Sequence, residues 1–143
     1  MSDIFGLDAF APKEIAEKVE TIGVAKARLP LLSMLMLSIL AGGFVGLGAL
    51  YFVIVKSDPT LGFAAKQLLG GVVFFFCLML VIVAGAELFT GNNLLAMAWA
   101  DGKISTFELL RNWVIVCVGN FIGAASLALL VYLSRHPDMN QGA

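Results

Sequence analysis

Long uncharged apolar runs alternate with short polar clusters along this 143-residue chain. Leu29 to Val55 contains no charged residue over 27 positions. A hydrocarbon core about 30 Å thick needs only about 20 apolar residues, so the pattern predicts a first transmembrane helix over 29–55. Lys56 to Thr60 reads as a polar turn, and Lys66 closes the connection to the next run. From Gln67 to Ala100 there are 34 residues with Glu87 as the only charge. That length exceeds the roughly 17–25 residues of one crossing but is too short for two crossings and a loop. The second span, 67–100, is therefore expected to be interrupted, and 85–93 is the place. Gly85 to Asn93 gathers two glycines, a carboxylate, a hydroxyl and two amides at membrane depth. After a polar connection from Asp101 to Arg111, a third uncharged span covers 112–134. Ser105 or Thr106 is placed to cap it, with Glu108 in the first turn.

The pattern before the first span is different. Ile15, Val19, Ile22 and Val24 stand among charges, which predicts an amphipathic helix along the membrane surface within region 1–28, or else a frayed terminal helix. Pro12 suits its first turn. Residues 1–10 hold two aspartates and no basic segment, unlike a cleavable signal peptide. Residues 135–143 read as a polar tail containing His136, the only histidine, expected to be a solvated loop residue. In the spans, Gly42, Gly43, Gly46 and Gly48, and the pair Gly119 and Gly123, provide small-residue surfaces for close helix approach. Trp113 and Tyr132 mark opposite interfaces.

Composition agrees with lipid as solvent: 60% of residues are hydrophobic and 13% charged, with mean hydropathy +0.96. Net charge is −1 and the basic residues form no stripe, so nucleic acid is not an expected partner. Sidedness follows from the basic residues beside the spans. Lys13, Lys18, Lys26, Arg28, Lys103 and Arg111 lie on one side, and Lys56, Lys66 and Arg135 on the other, favouring a cytoplasmic N-terminus. An odd number of crossings is natural for one half of an inverted repeat. Cys77 and Cys117 sit in apolar runs and read as packing residues. No nucleophile with a base, metal cluster or cofactor loop is present, so neither an enzyme nor a bound metal or cofactor is expected.

Glu87 is the most informative residue. A carboxylate at mid-bilayer costs about 2.5–3.5 kcal/mol on insertion scales, and needs a partner, a cavity or neutralisation. Broken backbone at the same depth is tolerated only when buried in protein or lining a pathway. Two readings stay open: the segment lines a route for a permeant species, or Glu87 and the asparagines tie the break to neighbouring helices. In the first, two half-helices meet near the midplane, and the second offers its positive dipole end near Asn92 and Asn93. On α-helical spacing Phe74 and Leu78 share a face, which fits a lumen or ordinary packing.

Residues Ile82 to Gly91, IVAGAELFTG, resemble the first signature of the formate/nitrite transporter family. The order around it is also similar: an amphipathic helix, a glycine-rich span, a broken span, then Asn112-Trp113 and Gly119 to Ala124. The resemblance covers essentially this whole chain but about half of a typical member. It implies an aquaporin-like fold of six helices in two inverted three-helix repeats, of which this is the first, in a homopentamer of a bacterial inner membrane. It also implies an omega-shaped loop, with Leu78 and Leu88 at a cytoplasmic constriction, Phe74 at a periplasmic one, Thr90 as central polar contact, and Phe89 in the loop. The family's central histidine and lysine belong to the second repeat and have no counterpart here.

The expected substrate pathway thus comprises Phe74, Leu78, Glu87, Leu88, Phe89, Thr90 and Asn92. The expected function is a channel or proton-coupled transporter for a small monovalent anion such as formate, nitrite or hydrosulfide, or its conjugate weak acid. The alternative is a truncated membrane protein or assembly unit forming no competent pore alone.

Overall fold

The computed structural model describes residues 10–135, which are entirely helix and connecting loop. The expectations for a leading segment and for the tail with His136 lie outside the described residues. Six helices follow in order: α1 (Pro12–Ala27), α2 (Leu31–Ser57), α3 (Phe63–Val83), α4 (Phe89–Asn92), α5 (Leu95–Ala100) and α6 (Thr106–Leu133). Of these, α2, α3 and α6 are long and apolar enough to cross a membrane. The fold is all-helical with three candidate membrane-spanning helices.

Local chemistry sets the helix ends. Pro12 opens α1 with its fixed φ, while Glu14 accepts the Ala11 N–H at 2.8 Å. Pro30 stops α1, because the residue before proline avoids the helical region. Ser105, not Thr106, caps α6: its Oγ accepts the Glu108 N–H at 3.2 Å, and the Glu108 carboxylate accepts the Ser105 N–H at 2.7 Å. This reciprocal box starts α6 at Thr106, six residues before the uncharged run, so Glu108 and Arg111 lie within the helix. Likewise α3 starts at Phe63 and includes Lys66, since a lysine stem can lie along a helix end and present its ammonium to water.

Helix α2 is central, with α6 and α3 packed on different sides of it. Its contact with α6 is a close backbone approach. A Cβ on Gly42 would overlap the Asn120 backbone, one on Gly119 the Ser38 hydroxyl, and one on Gly123 the Ile39 carbonyl. On the α3 side Gly48 faces Cys77 and Phe74. A Cβ on Gly43 would meet nothing, although its backbone lies beside Gly123. Helix α1 lies against α5 and the start of α6, around the buried residues Ala27, Leu95, Ala98, Ile104 and Leu109. Its Ile15 and Ile22 remain exposed, leaving an apolar face outward.

Candidate functional site: the break in the second span

Between α3 and α4 the chain leaves the helix for five residues. Gly85 turns it at φ +60°, a conformation costing other residues about 1–2 kcal/mol. By Leu88 the backbone is extended, with φ −101° and ψ 129°. The Glu87 N–H donates to the Leu37 carbonyl at 3.2 Å, seven residues into the 27-residue α2. The break thus lies about 10 Å from the start of α2, not at its centre. The two halves are unequal, α3 having 21 residues and α4 and α5 only four and six, and this displaces the junction from the middle.

The loop has two unlike faces. On one, Glu87 is 3% exposed and Asn92 fully buried. Lys26 of α1 reaches the Glu87 carboxylate at 2.9 Å and the Asn92 side-chain oxygen at 3.2 Å. The Asn92 amide donates to Glu87 at 2.7 Å and to Asn112 at 2.9 Å, and Asn112 donates to the Lys26 carbonyl at 3.2 Å. Trp113 donates its ring N–H to the Asn92 carbonyl at 3.0 Å and meets the Phe89 ring edge-on, with centroids 6.3 Å apart. The carboxylate therefore enters the protein as a paired, hydrogen-bonded charge, the form in which burial is tolerable. Among the described residues, no buried side-chain nitrogen or oxygen lacks a partner.

The other face is open. Gly85, Thr90, Gly91 and Asn93 are exposed, and a Cβ at Gly85 or Gly91 would touch nothing. Within the described residues neither the Leu88 N–H, the Thr90 N–H nor the Thr90 hydroxyl makes a hydrogen bond. The loop is thus tied on one side and unsatisfied on the other.

The sequence-derived residues divide between these surroundings. Glu87 and Asn92 belong to the tied face, the arrangement expected of anchoring groups. Thr90 lies on the open face. Leu88 is half-buried against Ala41, Val81 and Ala86, and Phe89 is half-buried against Trp113. Phe74 and Leu78 are each 37% exposed on α3, and Phe74 packs edge-on against Phe52 of α2 at 6.4 Å. The helix end expected near Asn92 and Asn93 lies a turn earlier: α4 starts at Phe89 after the extended Leu88, and the backbone stays in the helical region through Asn93 and Leu94 into α5. Trp113, expected near an interface, also anchors the loop. Cys77 is buried against Gly48, whereas Cys117 is exposed on α6.

Sequence reasoning did not place Lys26, Asn112 and Asn120 at the site. A buried carboxylate calls for a cation, but Lys26, Arg28, Lys103 and Arg111 all lie on the same side of the spans. Only the fold chooses. Arg28 pairs with Glu108 at 3.3 Å, Lys103 with Glu20 and with Asp101 at 3.0 Å, and Arg111 reaches the Leu29 carbonyl at 3.4 Å. No cluster of potential metal ligands occurs among the described residues.

Three long apolar helices around a break that is braced on one face and open on the other define a multi-pass membrane protein. The profile of the formate/nitrite transporter family matches residues 13–142. The chain is 45% identical over 119 residues to the uncharacterized transporter YrhG of Bacillus subtilis, covering 82% of this chain and 45% of that protein. It is 35% identical over 128 residues to the formate channel FocA of Escherichia coli, covering 89% and 45%. To the formate channel BtFdhC of Bacillus thuringiensis it is 42% identical over 119 residues, covering 82% and 46%. The chain belongs to the formate/nitrite transporter family, and spans about half the length of these relatives.

Proposed function

We propose that this chain supplies the first three-helix half of a pathway for a small monovalent anion, of the formate, nitrite or hydrosulfide kind. It works as a channel or a proton-coupled transporter. The observation that carries the reading is the two-faced loop. Unpaired N–H groups and a hydroxyl cannot face lipid without a cost of several kcal/mol, so the open face must meet water, a permeant species or further protein. Lys26 cancels the Glu87 charge behind it, which removes the repulsion an anion would otherwise meet.

In this reading Thr90 and the Leu88 and Thr90 amides donate to the anion. Glu87 and Asn92 hold the loop, and Phe89 wedges it against Trp113. Phe74 stands at an outer apolar constriction, and Leu78 and Leu88 at an inner one. Apolar narrowings on both sides of a polar centre dewet, and admit a small ion only once it is dehydrated or protonated. The complete pore would be an aquaporin-like pair of inverted repeats in a homopentamer. It would sit in a bacterial inner membrane with α1 on the cytoplasmic side, as the distribution of basic residues favours.

A chimera tests this, with residues 13–142 replacing the matched stretch of the Escherichia coli formate channel in reconstituted vesicles. Formate, nitrite or hydrosulfide uptake above empty vesicles is expected. Thr90→Val should lower it about tenfold and Glu87→Gln measurably, with Cys77→Ala near the parent. Absence of flux through the chimera, while the parent channel conducts, would overturn the assignment.

A further inference from the structure

We propose that Asn120 of α6 is the positioning residue of the broken segment, acting as a one-residue substitute for a neighbouring strand and thereby aiming the Leu88 and Thr90 donors at the open face. The proposal rests on the reading that this face meets the anion.

The geometry is that of a strand edge. In extended chain, the carbonyl before a residue and the N–H after it point to one edge, while the residue's own N–H points to the other. Leu88 is extended, and Asn120 occupies the first edge. Its side-chain oxygen accepts the Phe89 N–H at 2.9 Å, and its amide donates to the Glu87 carbonyl at 2.9 Å. The same amide donates to the Ser38 carbonyl of α2 at 2.8 Å. Two carbonyls and one N–H around a single side chain fix which end is oxygen and which is nitrogen, because a flipped amide would lose all three bonds. The Leu88 N–H is left on the opposite edge, where it finds no partner among the described residues. Asn120 reaches this position only because α6 runs so close to α2. It follows Gly119, which abuts Ser38, and its own backbone abuts Gly42. The small-residue seam thus delivers the brace.

Backbone amide exchange on the unaltered chain in micelles is the first test. Phe89 is expected to be protected, with Leu88 and Thr90 exchanging faster. Equal exchange at Phe89 and Leu88 would overturn the brace without disturbing any fold. In the chimera, Asn120→Leu has similar volume and no polar atoms, and should lower the formate-to-chloride flux ratio about tenfold. Asn120→Asp keeps the acceptor for Phe89 but loses both donors, and should fall between Asn120→Leu and the parent. A residue that only supports folding would change yield and leave the ratio alone, so an unchanged ratio in both variants would also overturn the proposal. If the unsubstituted chimera conducts no formate, the pathway reading fails, while the exchange pattern still decides whether Asn120 braces the loop.

Discussion

Removing the Lys26 charge should be the most damaging polar substitution in the chain. Lys26→Met leaves Glu87, 3% exposed, with the Asn92 amide as its remaining side-chain partner. Stranding a buried charge in this way costs about 3–5 kcal/mol. Glu87→Gln should be milder, because the Lys26 side chain is 29% exposed and can turn to water; the loss is one or two hydrogen bonds, about 1–3 kcal/mol. Combining the two substitutions removes both the charge and the need for it. The double variant should therefore be less damaged than the sum of the singles by about 2–3 kcal/mol. Equilibrium unfolding of the chain in mixed micelles, followed by helical circular dichroism, measures all four corners of this cycle. A loss below about 1 kcal/mol for Lys26→Met, or additivity within about 0.5 kcal/mol, would refute the pairing as the means by which the carboxylate is buried.

Three further outcomes follow from the geometry. Gly123→Ala should push α2 and α6 apart and destabilise by about 1–3 kcal/mol, whereas Gly43→Ala, with nothing near its added Cβ, should cost little; equal effects in the same unfolding assay would contradict the seam. Gly85→Ala has space around it but the wrong φ, so it should lose about 1–2 kcal/mol, and replacement by D-alanine through chemical ligation should recover most of that. The Lys103 ammonium is held above the ordinary lysine range by its hydrogen bonds to Glu20 and then Asp101. Its pKa being raised on folding, the stabilisation is complete below the unfolded value of about 10.4 and is lost only as pH rises through the folded one. Protease cleavage within α1 should thus be the same at pH 7 and pH 9 but faster in Lys103→Met.

Lipid made much of the architecture legible. A span must be long and uncharged, so the three runs stand out from length alone, and the 34-residue run announces its own interruption. Helix ends were less legible, because Lys66 and Arg111 look like loop residues yet lie in the first two turns of α3 and α6, where water is within reach, whereas Glu108 was placed correctly in a first turn. Glu87 was recognisable as a residue in need of a partner. Which cation would serve was not, since 61 residues separate it from Lys26 and five other basic residues lie on the same side. The helix start expected near Asn92 is displaced for a local reason: the asparagines follow the start at Phe89 by about a turn, and sequence alone does not show that Leu88 is the cap. Asn120 was visible only as a spacer between two glycines, and its role depends on backbone groups that have no sequence signature.

The separation of Lys26 from Glu87 has a temporal meaning as well. At about 5–20 residues per second of synthesis, the lysine precedes its carboxylate by about 3–12 s, and Asn112 follows later still. Helix α1 must wait while α2 and α3 are made behind it, held by none of its eventual contacts with α5, α6 or the loop. Glu87 then meets a cation already present, whereas the asparagine that closes the network arrives only with α6. Completion of the third span is thus the event that locks the second.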